Sequence, residues 1–494
     1  MEKKRLYLGV DVGTSSLKII LNEDGKTIRT ITKKYELSIL KDGWAEIDPN
    51  IWVEAFVTGV QKILDGSDHH QVKRIGITGQ MHTLVMLDEC GNTVRPAIMW
   101  NDLRTKESIS HIKKVLQECD NGEYLSGIVS TGSPLASLLW VKQNENDIYE
   151  KIRHIQIGWD YLTYRLTGVH CTDYCNASTS CLFDFSEKKW SEEICDKFGI
   201  DKSVFPELYG SAEVVGTITR EFQKRLSLDE NVSVIMGTGD NPATAISSGV
   251  FWNNSAVFSM GTSGVLTRIS RKVQLDCNVK KISFAFNRKD VFLLEQGAVQ
   301  SCGNTYDWWA RGFVNQQKDE KIEQKLSIIE EAENDLLFYP HLAGEKTIYS
   351  DPDIRGMLVG ISLNTSKADM HYAILEGICF SIRELLVKMK ENINTTLYVV
   401  GGMSDNSLLM QILANVLNCN ISKLDKKISA AYGIAYLAEY ADNIKKLGEK
   451  ILEKFSVEKT FMPDGNLTDV YNKKFQRYLR LRNAEKDVMN RMEF

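Results

Sequence analysis

Two short stretches, half a chain apart, spell nearly the same pattern: "LGVDVGTSSLKIIL" over 8–21 and "AVFSMGTSGVLTRIS" over 256–270. Each is a strand-like run, a Gly-Thr-Ser turn and a second strand-like run. One such hairpin is weak evidence, because glycine makes tight turns in most proteins. Two matching hairpins, one per half, predict a duplicated fold with one small-residue turn in each copy. The physical demand behind such a turn is phosphate binding. Glycine lets backbone N–H groups approach an oxygen closely, and Thr or Ser adds a hydroxyl donor. The candidates are Gly13, Thr14 and Ser15 in the first turn and Gly261, Thr262 and Ser263 in the second. No GxxxxGK[ST] pattern occurs, and strands rather than helices follow the turns, so this is not a P-loop. Asp11, beside the first turn, suits a cation held next to an anionic group; a plain hairpin with a nearby acid is the blander alternative.

At 494 residues, and roughly 100–200 residues per domain, two or three domains are expected. The expected halves are 1–245 and 246–494. Eight prolines and no low-complexity tract leave no long linker between them. The net charge of -5 argues against nucleic acid or an anionic membrane as the main partner. Ten cysteines are scattered singly without CxxC spacing, which points away from a disulfide framework or zinc site and toward a reducing compartment. The N-terminal apolar run is cut by Asp11 too early for a signal peptide, and no apolar run reaches membrane-spanning length, so the cytoplasm is expected.

Strand-like and helix-like segments alternate, which predicts a mixed α/β fold. "RLYLGVDV", "LKIILN", "VKRIGITG" and "HTLVMLD" read as strands, and "PNIWVEAFVTGVQKIL" as a helix entered from Asp-Pro. "VIMGTGDNPATAISSGV" is a strand ending at Gly237-Thr238-Gly239, followed by Asp240-Asn241 and a helix start. A carboxylate at that junction suits a ligand-lining position, or an ordinary helix cap. "GITGQMHTLVMLDECGNTVRPAIMWNDLRT" interrupts strands with Gln80, Met81 and His82, then places Trp100, Asn101 and Asp102 on a polar turn. Donors and acceptors beside an apolar wall are what a polyol requires. His82 alone also fits a satisfied core imidazole. His69 and His70 in "DGSDHHQ" read as loop residues, since no third metal ligand is spaced to join them. "TLYVVGGMSDNSLLMQILANVL" is strand, Gly401-Gly402 turn and helix, where a flat ring can approach the backbone. "EQGAVQSCGNTYDWWARG" adds a Gly-rich turn before another helix. The C-terminal "KKFQRYLRLRNAEK" reads as an amphipathic helix with a solvated basic face.

In this order, "DVGTSS", "GQMH", "WND", "GTGDN", "MGTSG" and "GGMSDN" resemble the FGGY carbohydrate kinases, of the actin, hexokinase and Hsp70 superfamily of ATPases. The segment from Gly356 to Glu376 resembles a signature of that family. Within the family, "GQMH", "WND" and "DGWAEIDPNIW" look most like xylulokinases. Ser137 stands where the family usually has Lys, Lys346 where it has Arg, and Met403 where xylulokinases have a third Gly. The sugar is where these departures matter. The resemblance implies two ribonuclease H-like (actin-like ATPase) domains flanking a central cleft, and transfer of a phosphoryl group from ATP, with Mg²⁺, to a terminal sugar hydroxyl. D-xylulose is the expected acceptor, with gluconate, ribulose, sedoheptulose or another polyol as the alternative. A chaperone-like or filament-forming ATPase would need features the chain does not offer.

The roles that follow from the resemblance are these. Asp240 is the general base, and Asp11 holds Mg²⁺ through water. Gln80, Met81, His82, Trp100, Asn101, Asp102 and Asn241 surround the sugar. Gly13, Thr14, Ser15, Gly261, Thr262 and Ser263 serve the phosphates. Gly303, Gly402, Met403 and Asn406 border the adenosine. A homodimer is a family-level expectation.

Overall fold

The computed structural model describes residues 5–36, 43–253, 255–270, 275, 279–314, 334–345, 347–349, 351, 353–390, 396–425 and 428–489. Lys346 lies outside them. The chain divides into two compact units. Unit 1 comprises residues 1–253, 269–294 and 427–454; unit 2 comprises 254–268, 295–426 and 455–494.

Unit 1 is built on six strands. They are β1 (Leu6–Val12), β2 (Ser16–Glu23), β3 (Lys26–Lys34), β4 (Val72–Gly79), β5 (Val214–Thr217) and β6 (Ser233–Gly239), in the sheet order β5-β6-β4-β1-β2-β3. The central strands β6, β4 and β1 run parallel, whereas β1, β2 and β3 form an antiparallel meander. Leu8, Val10 and Val12 on β1 and Ile75 and Ile77 on β4 are fully buried. Such runs of β-branched and aliphatic residues suit strands covered on both faces. Helix α1 (Asn50–Ile63) begins directly after Asp48-Pro49, and Asp48 Oδ1 accepts the Asn50 N–H at 3.0 Å. His69 and His70 form a short turn: His69 Nδ1 lies 2.9 Å from the Leu226 carbonyl and His70 Nδ1 2.6 Å from Asp229.

The helix Ala430–Tyr440 covers this sheet although it lies late in the chain. Glycine makes the close packing possible. A Cβ on Gly9 would meet Ala435 at 2.5 Å, and one on Gly76 would meet the Ile434 carbonyl at 3.0 Å. The same helix packs on helix α3 (Asp240–Ser247), where a Cβ on Gly433 would sit 1.9 Å from the Ala243 carbonyl.

A smaller four-stranded sheet of unit 1 joins Glu46–Ile47, Ala97–Ile98, Leu84–Leu87 and His154–Ile157. Leu84 pairs with both Ile98 and Ile157. That pairing brings the Gln80–Thr83 segment, which precedes Leu84, near the Met99–Asn101 turn, which follows Ile98: the Trp100 N–H donates to Thr83 Oγ1 at 3.2 Å.

Unit 2 contains β7 (Val257–Met260), β8 (Gly264–Ile269), β9 (Thr396–Val400), β10 (Asn420–Leu424) and β11 (Val457–Phe461), in the order β8-β7-β9-β10-β11. The echo in the sequence is an echo in structure. β1/β2 and β7/β8 are antiparallel hairpins, and each leading strand pairs in parallel with a later one, β1 with β4 and β7 with β9. The long helix Lys367–Lys388 carries a capping box between Ser366 and Asp369 and is buried on every face from His371 to Ile382. The C-terminal helix spans Thr468–Met489, and its Tyr471, Phe475 and Tyr478 are buried. Among the described residues, no helix is long and apolar enough to cross a membrane.

Candidate active site

The parallel strands of unit 1 end together. In register, Asp11 of β1 stands beside Thr78 of β4, and Gly239 of β6 beside Gly79 of β4. One step further lie Gln80, after β4, and Asp240, which opens α3. The carboxyl ends of parallel strands are where such sheets usually receive ligands. Small residues let this edge close up. A Cβ on Gly79 would fall 2.4 Å from the Val12 carbonyl, and one on Gly239 would meet Met81 and Cys175 Sγ at 2.9 Å.

Two carboxyls share the edge. Burial pushes Asp11 up to about 7; the negative charge of Asp240 adds to this and Lys18 opposes it. Burial also pushes Asp240 up to about 6, against the Asn241 N–H, which donates to its Oδ1 at 2.7 Å, and the charge of Lys280. At pH 7 and above Asp240 is therefore mostly ionised and more basic than an ordinary carboxylate, as a general base should be. Its place on the first turn of α3 is where a helix favours a negative side chain.

The Gln-Met-His segment faces the same edge. Gln80 is buried, and neither its amide nitrogen nor its oxygen has a hydrogen-bond partner among the described residues. Its backbone is fixed, since its N–H donates to the Val12 carbonyl at 2.9 Å. The Met81 sulfur packs 3.7 Å from Cys175 Sγ and 3.9 Å from Asn241 Nδ2. His82 adopts φ +72°, the left-handed region that residues with a Cβ seldom occupy. Such conformations collect at functional sites. Its Nε2 lies 3.4 Å from Lys280 Nζ.

The Trp100–Asp102 turn divides in function. Trp100 is 44% exposed, and its indole N–H donates to Thr14 Oγ1 at 3.0 Å, tying the polar turn to the first hairpin. Asn101 is exposed. Asp102 is fully buried and its two oxygens are occupied: they accept the Ala45 N–H at 2.6 Å and the Arg104 guanidinium at 2.8–2.9 Å. It holds the turn from inside. Arg104 in turn pairs with Glu46 at 2.7 Å and lies over the rings of Trp44 and Trp140, at 4.1 and 5.0 Å. In the hairpin below, Gly13 N–H donates to the Ser16 carbonyl at 2.9 Å, and the Tyr35 hydroxyl donates to the Gly13 carbonyl. Thr14 is partly exposed and Ser15 exposed.

Unit 2 assembles its own small-residue cradle. The Gly303 N–H donates to the Gly261 carbonyl at 3.1 Å and the Asn304 N–H to the Thr262 carbonyl at 3.0 Å, so the second hairpin is pinned to the start of the helix Gly303–Phe313. A Cβ on Gly303 would meet that Gly261 oxygen at 2.4 Å and the Met403 side chain at 3.2 Å. Gly401 has φ +100°, and a Cβ there would also strike the Met260 carbonyl at 2.5 Å; around Gly402 there is open space. Asn406 Oδ1 caps the helix Ser407–Leu417 by accepting the Leu409 N–H at 2.8 Å.

Sequence reasoning passed over Lys280. It lies in "CNVKKISFAF", where a pair of lysines at the head of an apolar strand was the available signal. Cys175 was likewise invisible, because nothing local ties the helix Tyr174–Thr179 to Gly239. Among the described residues no cluster of His, Cys, Asp and Glu forms a ready-made metal cage. The oxygen donors at the sheet edge nonetheless fit Mg²⁺, which binds through one or two carboxylates plus phosphate and water.

Family models for the N-terminal and C-terminal domains of the FGGY family of carbohydrate kinases match residues 6–247 and 256–441. The xylulose kinase of Staphylococcus xylosus is 33% identical over 439 residues, covering 87% of this chain and 90% of that protein. The xylulose kinase of Bacillus subtilis is 30% identical over 98% of both. Among solved structures, a xyloylose kinase from Brucella ovis superposes with a TM-score of 0.89 at 28% identity, covering 98% of this chain and all of that one. Two family models in tandem, full-length relatives and a matching two-domain α/β fold agree: the chain belongs to the FGGY family of carbohydrate kinases.

Proposed function

We propose that this kinase phosphorylates the terminal hydroxyl of a ketopentose, D-xylulose, to give D-xylulose 5-phosphate, with ATP and Mg²⁺. The observation that carries the reading is the edge of unit 1. There an ionised, unusually basic Asp240 stands beside a buried Gln80 amide with no partner among the described residues and a His82 held in a strained conformation. Those groups are suited to a small neutral polyol: one carboxylate for the reacting hydroxyl, amide and imidazole groups for the others, and Met81 as an apolar wall. The names of the relatives and the "GQMH" and "WND" elements favour xylulose among such polyols.

In this reading Asp240 accepts the proton of the hydroxyl as its oxygen attacks the terminal phosphorus. Gln80, Met81, His82, Asn101 and Asn241 hold the sugar, and Trp100 joins its site to the Thr14 hydroxyl. Thr14 and Ser15 donate to phosphate oxygens, as do Thr262 and Ser263 of the second hairpin. Gly303, Gly402 and Met403 receive the adenosine, with Asn406 bordering it. Asp11 would hold Mg²⁺ through water; when bound, the ion neutralises phosphate charge. Phosphoryl transfer asks the protein mainly for alignment and electrostatics, and a positioned base contributes roughly 10²–10⁴-fold. Unit 1 thus receives the sugar and unit 2 the nucleotide. The protein works in the cytoplasm, as a homodimer.

A coupled ADP-release assay over ketoses, alditols and aldonates tests the assignment. D-xylulose is expected to give the highest kcat/KM. A preference for gluconate or glycerol over xylulose refutes it.

A further inference from the structure

Lys280 belongs to neither Gly-Thr-Ser hairpin, yet the fold delivers it to the edge of unit 1 proposed to face the sugar. It opens the strand Lys280–Ala285. That strand is anchored directly after it. The Lys281 N–H donates to the Tyr124 hydroxyl at 2.7 Å, which donates back to the Lys281 carbonyl at 2.9 Å, and the Ser283 N–H donates to Ser178 Oγ at 2.9 Å. Ser178 lies on the helix Tyr174–Thr179 that also carries Cys175, the neighbour of Met81. The backbone of Lys280 is therefore held in place, and its ammonium reaches within 3.4 Å of His82 Nε2.

We propose that Lys280 is a positioning residue of this site: it holds His82 as the neutral imidazole protonated on Nδ1, so that His82 offers the sugar a hydrogen-bond donor. A lysine ammonium carries three donors and no acceptor. An imidazolium has no acceptor either, and its charge would repel the ammonium. The contact is favourable in one state alone, with Nε2 presenting its lone pair and the ring proton on Nδ1. The backbone that carries the ring stands at φ +72° between Met81 and the strand that starts at Leu84. The Nδ1–H of that tautomer selects an oxygen that accepts, such as a keto or hydroxyl oxygen. The partner of a metal ligand or of a cationic group would need the opposite tautomer. The same ammonium sits where its charge favours ionised Asp240, so one side chain serves both the acceptor of the proton and the holder of the sugar.

The proposal rests on the reading of this edge as the sugar site, and the test separates the two. Full-length protein is labelled with ¹⁵N at histidine, and His82 is assigned by difference with His82→Asn. Long-range ¹⁵N–¹H spectra then report the tautomer without any substrate. The wild type is expected to show Nδ1–H at His82, Lys280→Met to move it to Nε2–H or to a mixture, and Lys280→Arg to restore Nδ1–H. In the ADP-release assay Lys280→Met is expected to raise KM for the sugar about fivefold, as the loss of one neutral hydrogen bond would, with a smaller change in kcat. Nε2–H in the wild type overturns the proposal, as does a His82 spectrum unmoved by Lys280→Met. A changed tautomer with unchanged KM overturns the link to the sugar. A protein that phosphorylates no sugar refutes the functional reading instead, and the spectrum still decides the tautomer.

Discussion

Replacing Asp240 by asparagine should disable the enzyme and make it more stable. Asn is nearly isosteric, and its Oδ1 can still accept the Asn241 N–H that Asp240 accepts at 2.7 Å. What disappears is the base and its charge. Losing a general base costs roughly 10²–10⁴ in kcat, or about 3–5 kcal/mol of barrier. The charge has the opposite effect on folding. Burial raises the Asp240 carboxyl from 3.8 to about 6, so the folded state disfavours its ionised form. Below pH 3.8 the group is protonated in both folded and unfolded chains and contributes no difference. Between 3.8 and 6 the unfolded chain ionises first, and stability falls as pH rises; above 6 the penalty is complete. At 1.36 kcal/mol per pH unit it amounts to about 3 kcal/mol. Asp240→Asn removes that penalty, so its advantage should grow from nothing near pH 4 to a plateau above pH 6, read as a Tm several degrees higher at pH 8. Thermal melts at pH 4, 6 and 8, beside the ADP-release assay, measure both effects in one preparation. Turnover within tenfold of wild type, or a Tm at pH 8 equal to or below wild type, would refute the reasoning.

Asp173, buried with its oxygens on the Thr238 hydroxyl and the Asn176 N–H, is pushed up to about 7 by burial. Wild-type stability should therefore decline from pH 4 to 7 in part through this group, and Asp173→Asn should flatten that decline in urea titrations at stepped pH. Arg104→Ala strips the buried Asp102 carboxylate of its guanidinium and leaves Glu46 with Arg95 alone, and about 3–5 kcal/mol of stability should be lost in denaturant unfolding. Gly433→Ala drives a methyl into the Ala243 carbonyl beside α3; a loss of about 1–3 kcal/mol and lowered turnover are expected from unfolding and activity measurements.

What could be read from the sequence was what local pattern encodes. The hairpins at Gly13 and Gly261, the strand ending at Gly239 and the helix after Gly402 are consecutive stretches, and propensity with turn chemistry places them. The positions of Asp11 and Asp240 were legible for the same reason, since one lies near the end of a plain strand pattern and the other directly follows one. Contacts between distant segments were not legible. Nothing in "WND" says that Asp102 turns inward to Ala45 and Arg104 while Trp100 reaches Thr14. Nothing near residue 280 says that its lysine meets His82, some 200 positions earlier. The left-handed backbone at His82 was equally hidden, because histidine carries no signal for it comparable to glycine's.

The helix Ala430–Tyr440 has a consequence for the birth of the protein. Strands β1, β4 and β6 have all emerged by residue 239, but the helix that covers them is made almost two hundred residues later. At roughly 5–20 residues per second on the ribosome, the sheet waits on the order of ten to forty seconds with the glycine-lined strip at Gly9 and Gly76 bare. Vectorial folding of the first unit is thereby forbidden to finish early. A nascent chain arrested before residue 430 should recruit chaperones, and one released after residue 454 should not.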